Sequence, residues 1–89
     1  MITKERIAAK LTQGLRPITL DIVDDSHRHG GHAGAREGGE THYRIHIVSE
    51  SFAGKGRLER HRIVYDLLAD ELAAGVHALA LQTLAPGEA

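Results

Sequence analysis

Fourteen residues near the middle of the chain, His27 to Glu40, hold five glycines and three histidines and show no hydrophobic period. Such a stretch contributes little to a core, so the apolar packing of this 89-residue chain must come from the blocks on either side. Loops of that length inside a compact domain are uncommon and are usually functional or mobile. The expectation is one domain over residues 1–89, interrupted at 27–40 by a flexible His/Gly-rich loop. A chain of this size buries roughly 60% of its unfolded surface, enough for one two-layer core and no more.

The flanking blocks show clear periods. Residues 3–15 place Ile7, Ala8, Leu11 and Leu15 on one helical face, with Thr3 as a cap, Glu5 near the positive end of the dipole, and Gly14 with Pro17 as a stop signal. Ile18–Val23 alternates, with Ile18, Leu20 and Ile22 to one side, as a half-buried strand does. Thr41–Ser49 alternates again, Tyr43, Ile45 and Ile47 facing one way and His42, Arg44, His46 and Val48 the other. One helical turn over Glu50–Ala53 precedes Gly54-Lys55-Gly56. From Arg57, the ladder Val64, Leu67, Leu68, Glu71, Leu72 is helical up to Gly75, and Val76–Leu84 forms a last strand before Pro86-Gly87. Two strands joined directly run antiparallel, and a strand-helix-strand crossover makes the third parallel to the second. This predicts an α+β fold: a three-stranded mixed sheet with the helices on one face.

Composition narrows the function. Eleven Lys and Arg against twelve Asp and Glu give a formal charge of −1, which disfavours a dedicated nucleic-acid binder. Three aromatic residues, Tyr43, Phe52 and Tyr65, are too few for a base-stacking platform. No apolar run approaches the ~20 residues of a membrane span. The start, Met1 to Arg6, lacks the apolar stretch of a secretory leader, so the expected compartment is the cytoplasm. Seven histidines accompany zero cysteines. Disulfides and thiolate metal sites made by this chain alone are thereby excluded, and any soft-metal chemistry must borrow sulfur from elsewhere.

Three groups of residues invite a chemical reading. The loop cluster His27-Arg28-His29-Gly30-Gly31-His32 could bring imidazoles to a borderline metal, or could be a solvated loop. His77 shares strand parity with Leu79 and Leu81, as a core histidine would, yet it follows a helix-ending glycine and could equally be a surface ligand. Lys55, Arg57, Arg60 and Arg62, with His61 among them, could seat phosphates or form an ordinary charged face. His42 and His46 lie about 13 Å apart on an extended strand at ~3.3 Å per residue and cannot share one metal. Phosphate-loop, nucleophile-elbow and His-Glu-x-x-His motifs are missing from the sequence, and no acid–base pair stands out, so binding rather than catalysis is expected.

Taken together, Asp24-Asp25-Ser26-His27-Arg28-His29, Thr41-His42-Tyr43, Val48-Ser49, Phe52-Ala53-Gly54, Arg60-His61-Arg62-Ile63-Val64-Tyr65 and Val76-His77-Ala78-Leu79 resemble the BolA family over nearly the whole chain. The resemblance implies an α-β-β-α-α-β fold like the class II KH domain. It also implies a monothiol glutaredoxin as partner, with a [2Fe–2S] cluster held at the shared interface. There the glutaredoxin cysteine and a bound glutathione supply sulfur, and the BolA chain supplies the remaining ligands. His77 matches the family's C-terminal ligand, and His29 matches the loop ligand by its spacing from Ser26, with His32 as the alternative. The ligand set so implied is that of a BolA of the histidine type. The family also contains bacterial DNA-binding regulators that use the KH-like surface, which points to Lys55, Arg57, Arg60 and Arg62 as contacts to duplex DNA. The KH clamp is a G-x-x-G loop, and Gly54-Lys55-Gly56-Arg57 departs from it. Alone, the chain is expected to be a monomer or a weak homodimer.

Overall fold

The structure, a computed structural model, describes residues 3–25 and 42–88. The expected loop 27–40, with His29 and His32, lies outside the described residues. The elements run α1 (Thr3–Leu15), β1 (Thr19–Asp24), β2 (His42–Val48), a 3-10 turn (Glu50–Phe52), α2 (Arg57–Leu67), α3 (Ala69–Ala74) and β3 (Ala78–Leu84). The sheet order is β1-β2-β3, with β1 antiparallel and β3 parallel to β2.

The two periods meet as the sequence requires. On β2, Tyr43, Ile45 and Ile47 point inward, flanked by Ile22 and Leu20 on β1 and by Leu79 and Leu81 on β3. Ile7, Leu11 and Leu15 of α1, spaced at i, i+4 and i+8, cover this face together with Val64 and Leu68. Each such side chain removed from water stabilises the fold by about 1.5–3 kcal/mol. Among the described residues, no helix is long and apolar enough to cross a membrane.

Four local details depart from the sequence expectation. Gly14 lies inside α1 and does not stop it. A Cβ there would come within 2.7 Å of Leu67 Cδ2, so the glycine lets α2 approach α1 closely. The helix runs to Leu15, the end expected, and it is Arg16 rather than a glycine that takes the left-handed φ of 46° after it, its N–H still reaching the Thr12 carbonyl at 3.1 Å. Ile18, placed before the strand by the Arg16–Pro17 turn, is 64% exposed although its parity points to the core. The long second helix divides at Leu68 (φ −102°, ψ 18°).

That division turns α3 toward α1. Glu71, its side chain 1% exposed, receives Lys10 Nζ at 2.8 Å and lies 3.1 Å from an Arg6 guanidinium nitrogen. A buried carboxylate held by two cations ties the first helix to the last, and the carboxylate holds the Lys10 ammonium above its usual pKa. Gly75, at φ 129°, then ends α3 and releases the chain into β3.

Candidate functional site

The two ends of the sheet differ in kind. At one end, Ser49 is fully buried: its Oγ donates to the Leu15 carbonyl (2.6 Å) and accepts from the Ser51 N–H (3.1 Å), while its own N–H bonds the Leu84 carbonyl (2.9 Å). One small polar residue thus joins the end of α1, the end of β3 and the 3-10 turn, and seats Phe52 in the core.

At the opposite end lie the histidines. The parallel register places His42 beside Ala78, so His77, the residue before β3, falls next to His42. Their rings stand 6.0 Å apart, centroid to centroid, tilted by 42°. His77 is exposed and His42 half-buried, which rules out the core reading of His77. With metal–nitrogen distances of about 2.0–2.1 Å, two imidazoles at this spacing are close enough to face one ion. The Asp25 N–H bonds the His42 carbonyl at 2.8 Å, and Arg44 Nε pairs with the Asp25 carboxylate at 2.5 Å. Asp25 and His42, the described residues on either side of positions 26–41, therefore meet at this same end of the sheet. Among the described residues, no three His, Cys, Asp or Glu side chains form a group that could hold a metal by themselves. A site here is a partial ligand set, consistent with a chain that brings imidazole and no sulfur. His42 is the residue that sequence reasoning passed over. Its strand parity was visible, but its neighbour depends on the β2–β3 register.

The basic residues separate. Arg57 and Arg62 are exposed on α2. Lys55 Nζ donates to the Ser51 carbonyl at 2.8 Å. Lys55, Arg57, Arg60 and His61 line an open groove of 390 Å³ against Leu81–Leu84 of β3, and Arg62 does not. Burial first, and the Arg57 charge second, push the His61 pKa below its usual value, which favours the neutral ring.

Arg60 corrects the picture of a solvated basic patch. Its side chain is 11% exposed and directed inward over the Phe52 ring, 5.9 Å from the centroid. Leu84 turns its carbonyl toward β2, so Thr83 turns its own to the free edge of β3, where Arg60 NH1 donates to it at 2.9 Å. Arg60 Nε bonds the Lys55 carbonyl at 2.8 Å, and the guanidinium fork grips Glu88 at 2.6 and 3.0 Å. Arg60 thus satisfies one carbonyl on the outer edge of β3.

The Arg60 bonds, and after them the Ala85 N–H, hold the Glu88 carboxyl down to about 2. A carboxyl with a depressed folded-state pKa stabilises the fold above its unfolded pKa and loses that contribution as pH falls through the folded one. The difference in melting temperature between the wild type and Glu88→Gln should therefore be full at neutral pH and shrink between about pH 4.5 and pH 2. A difference independent of pH over that window would contradict the ion pair.

A three-stranded mixed sheet covered by helices on one face, in the order observed, defines the α+β, KH-like class. The family model "BolA-like protein" matches residues 11–88, and the chain belongs to the BolA-like family. The chain is 45% identical over 83 residues to the DNA-binding transcriptional regulator BolA of Escherichia coli (strain K12), covering 93% of this chain and 75% of that protein. It is 46% identical over 87 residues to the SufE-like protein 1, chloroplastic/mitochondrial, of Arabidopsis thaliana, covering 93% of this chain but only 24% of that one. The solved BolA domain of SufE1 from Arabidopsis thaliana superposes with a TM-score of 0.88 at 42% identity, covering 100% of this chain and 99% of that domain.

Proposed function

We propose that this chain is an accessory factor in iron–sulfur cluster assembly, trafficking or iron sensing, which co-ligates a [2Fe–2S] cluster with a monothiol glutaredoxin. The observation that carries this reading is the exposed His77 beside His42, at the sheet end where Asp25 bonds His42, in a chain without cysteine. The cluster is cargo, and as a mixed thiolate/imidazole centre it would be Rieske-like in kind. The chain's own part is to present imidazole nitrogen from a fixed strand end, His77 first and His29 or His32 second. Glutaredoxin cysteine and glutathione supply the sulfur. Mixing the purified protein with a monothiol glutaredoxin, glutathione and iron should give a visible absorption and circular dichroism spectrum distinct from that of the glutaredoxin alone. An unchanged spectrum would remove this reading.

A second reading is binding to duplex DNA, supported by the groove holding Lys55, Arg57 and His61 and by the DNA-binding role in the name of the Escherichia coli relative. With Arg60 engaged by Glu88, the patch offers phosphate Arg57 and Arg62, joined by Lys55 when its Nζ leaves the Ser51 carbonyl. Each phosphate contact steepens the fall of affinity with salt by about 0.9 in slope. Anisotropy across a salt series should give a slope below about 3 and a dissociation constant in the non-specific range of about 10⁻⁴–10⁻⁶ M. Tight, sequence-selective binding that survives raised salt and is lost in Arg57→Ala/Arg62→Ala would put this reading first.

A further inference from the structure

Arg60 has the form of a receptor rather than a simple ion-pair partner. Two of its donors are committed from behind, Nε to the Lys55 carbonyl and NH1 to the Thr83 carbonyl, so α2 and β3 fix the guanidinium plane. The front of the fork meets Glu88 through NH1–Oε1 at 2.6 Å and NH2–Oε2 at 3.0 Å. A third donor, the Ala85 N–H, converges on the same Oε1 at 2.9 Å. A pre-set planar fork with a converging backbone N–H is the arrangement that recognises carboxylates and phosphates.

The group that fills it sits at the surface. Glu88 is 44% exposed and hangs on the turn Ala85-Pro86-Gly87, of which Pro86 and Gly87 are exposed. Gly87, at φ 92°, has open space where a Cβ would stand. Glu88 can swing out with Pro86 and Gly87 while Arg60, held by the Lys55 and Thr83 carbonyls, and Ala85, buried in the core, keep their places. The site opens on the groove lined by Lys55, Arg57 and His61.

We propose that Arg60 and the Ala85 N–H form an oxyanion site for a phosphate-type group, and that Glu88 occupies and masks it in cis. The source of the phosphate is either the free ion or a nucleic-acid backbone. The duplex arm of the test rests on the second reading above, and the free-phosphate arm does not.

Glu88→Ala empties the site, and Glu88→Gln removes the charge while keeping the size. Inorganic phosphate is titrated into each, and the Arg60 Nε–H and Ala85 amide resonances are followed. A short tether gives Glu88 an effective concentration in the millimolar range or above, so the wild type should bind phosphate at least about tenfold more weakly than Glu88→Ala. Arg60→Ala/Glu88→Ala should lose the gain. A folded Glu88→Ala or Glu88→Gln whose two resonances do not respond would overturn the proposal, leaving Glu88 as a structural clamp only. Failure of both variants to fold would overturn it equally, because a mask must be removable. If the backbone is the source, Glu88→Ala should also bind duplex more tightly, with a salt slope steeper by about 0.9. Gain for phosphate without gain for duplex keeps the oxyanion site and counts against the DNA reading.

Discussion

His77→Ala should abolish the spectrum of the cluster-bridged complex with a monothiol glutaredoxin, whereas His29→Ala should only weaken or alter it. The asymmetry follows from how each residue is held. Val76, immediately before His77, is buried and its N–H bonds the Glu71 carbonyl at 3.1 Å, and Ala78, immediately after, opens β3 opposite His42. The imidazole therefore leaves a backbone fixed on both sides, and a ligand on a rigid element needs little ordering on binding, whereas His29 is expected from sequence in a glycine-rich stretch. If His77→Ala leaves the spectrum unchanged, His77 is not a ligand. If His32→Ala does the damage expected of His29→Ala, the loop ligand is His32. His42→Ala distinguishes a neighbour from a ligand. A neighbour that orients His77 should cost about 10–100-fold in cluster affinity, while loss as complete as in His77→Ala would place the second imidazole on β2.

Phe52→Ala should lower the unfolding free energy by about 3–5 kcal/mol, as truncation of a fully buried aromatic does. The whole stability expected of a domain this size is only about 4–13 kcal/mol at 0.05–0.15 kcal/mol per residue. Phe52 is the hinge of the tightly bonded sheet end: the 3-10 turn capped by Ser49 delivers it to the core, and the Arg60 guanidinium rests on its face. Its loss leaves a cavity and also removes the platform under Arg60. Urea unfolding measures the change, and Phe52→Leu, which refills most of the volume, should recover more than half of it. A loss below about 1 kcal/mol for Phe52→Ala would mean that the packing around the turn is not cooperative with the sheet.

What could be read from residues alone was whatever depends on period and polarity. The bounds of α1, the inward set Tyr43, Ile45 and Ile47, and the parallel third strand all follow from apolar spacing and crossover geometry. What escaped depends on contacts between elements. Nothing in the local sequence marks Leu68 as a break, since neither glycine nor proline is there; the division accompanies the approach of Glu71 to Arg6 and Lys10. Gly14 resembles a stop signal because glycine commonly ends helices, but its reason for being glycine is Leu67, across the α1–α2 contact. Arg60 looks like one more surface cation until its partner, twenty-eight residues on, is seen to meet it. The His42–His77 pair is of the same kind. Both residues were visible, and only the register makes them neighbours.

That pair also couples chelation to folding. His42 and His77 stand thirty-five residues apart in sequence and adjoin only because β3 has docked on β2. An unfolded chain does not hold the two rings together, so an ion or cluster that engages both favours the native state. By mass action it stabilises that state by RT ln(1 + [L]/Kd), about 2.7 kcal/mol at a hundredfold excess over Kd. Under the proposed function, the melting temperature of the chain would then gauge its loading: a loaded molecule would resist unfolding by an amount set by free ligand concentration, and an empty one would not.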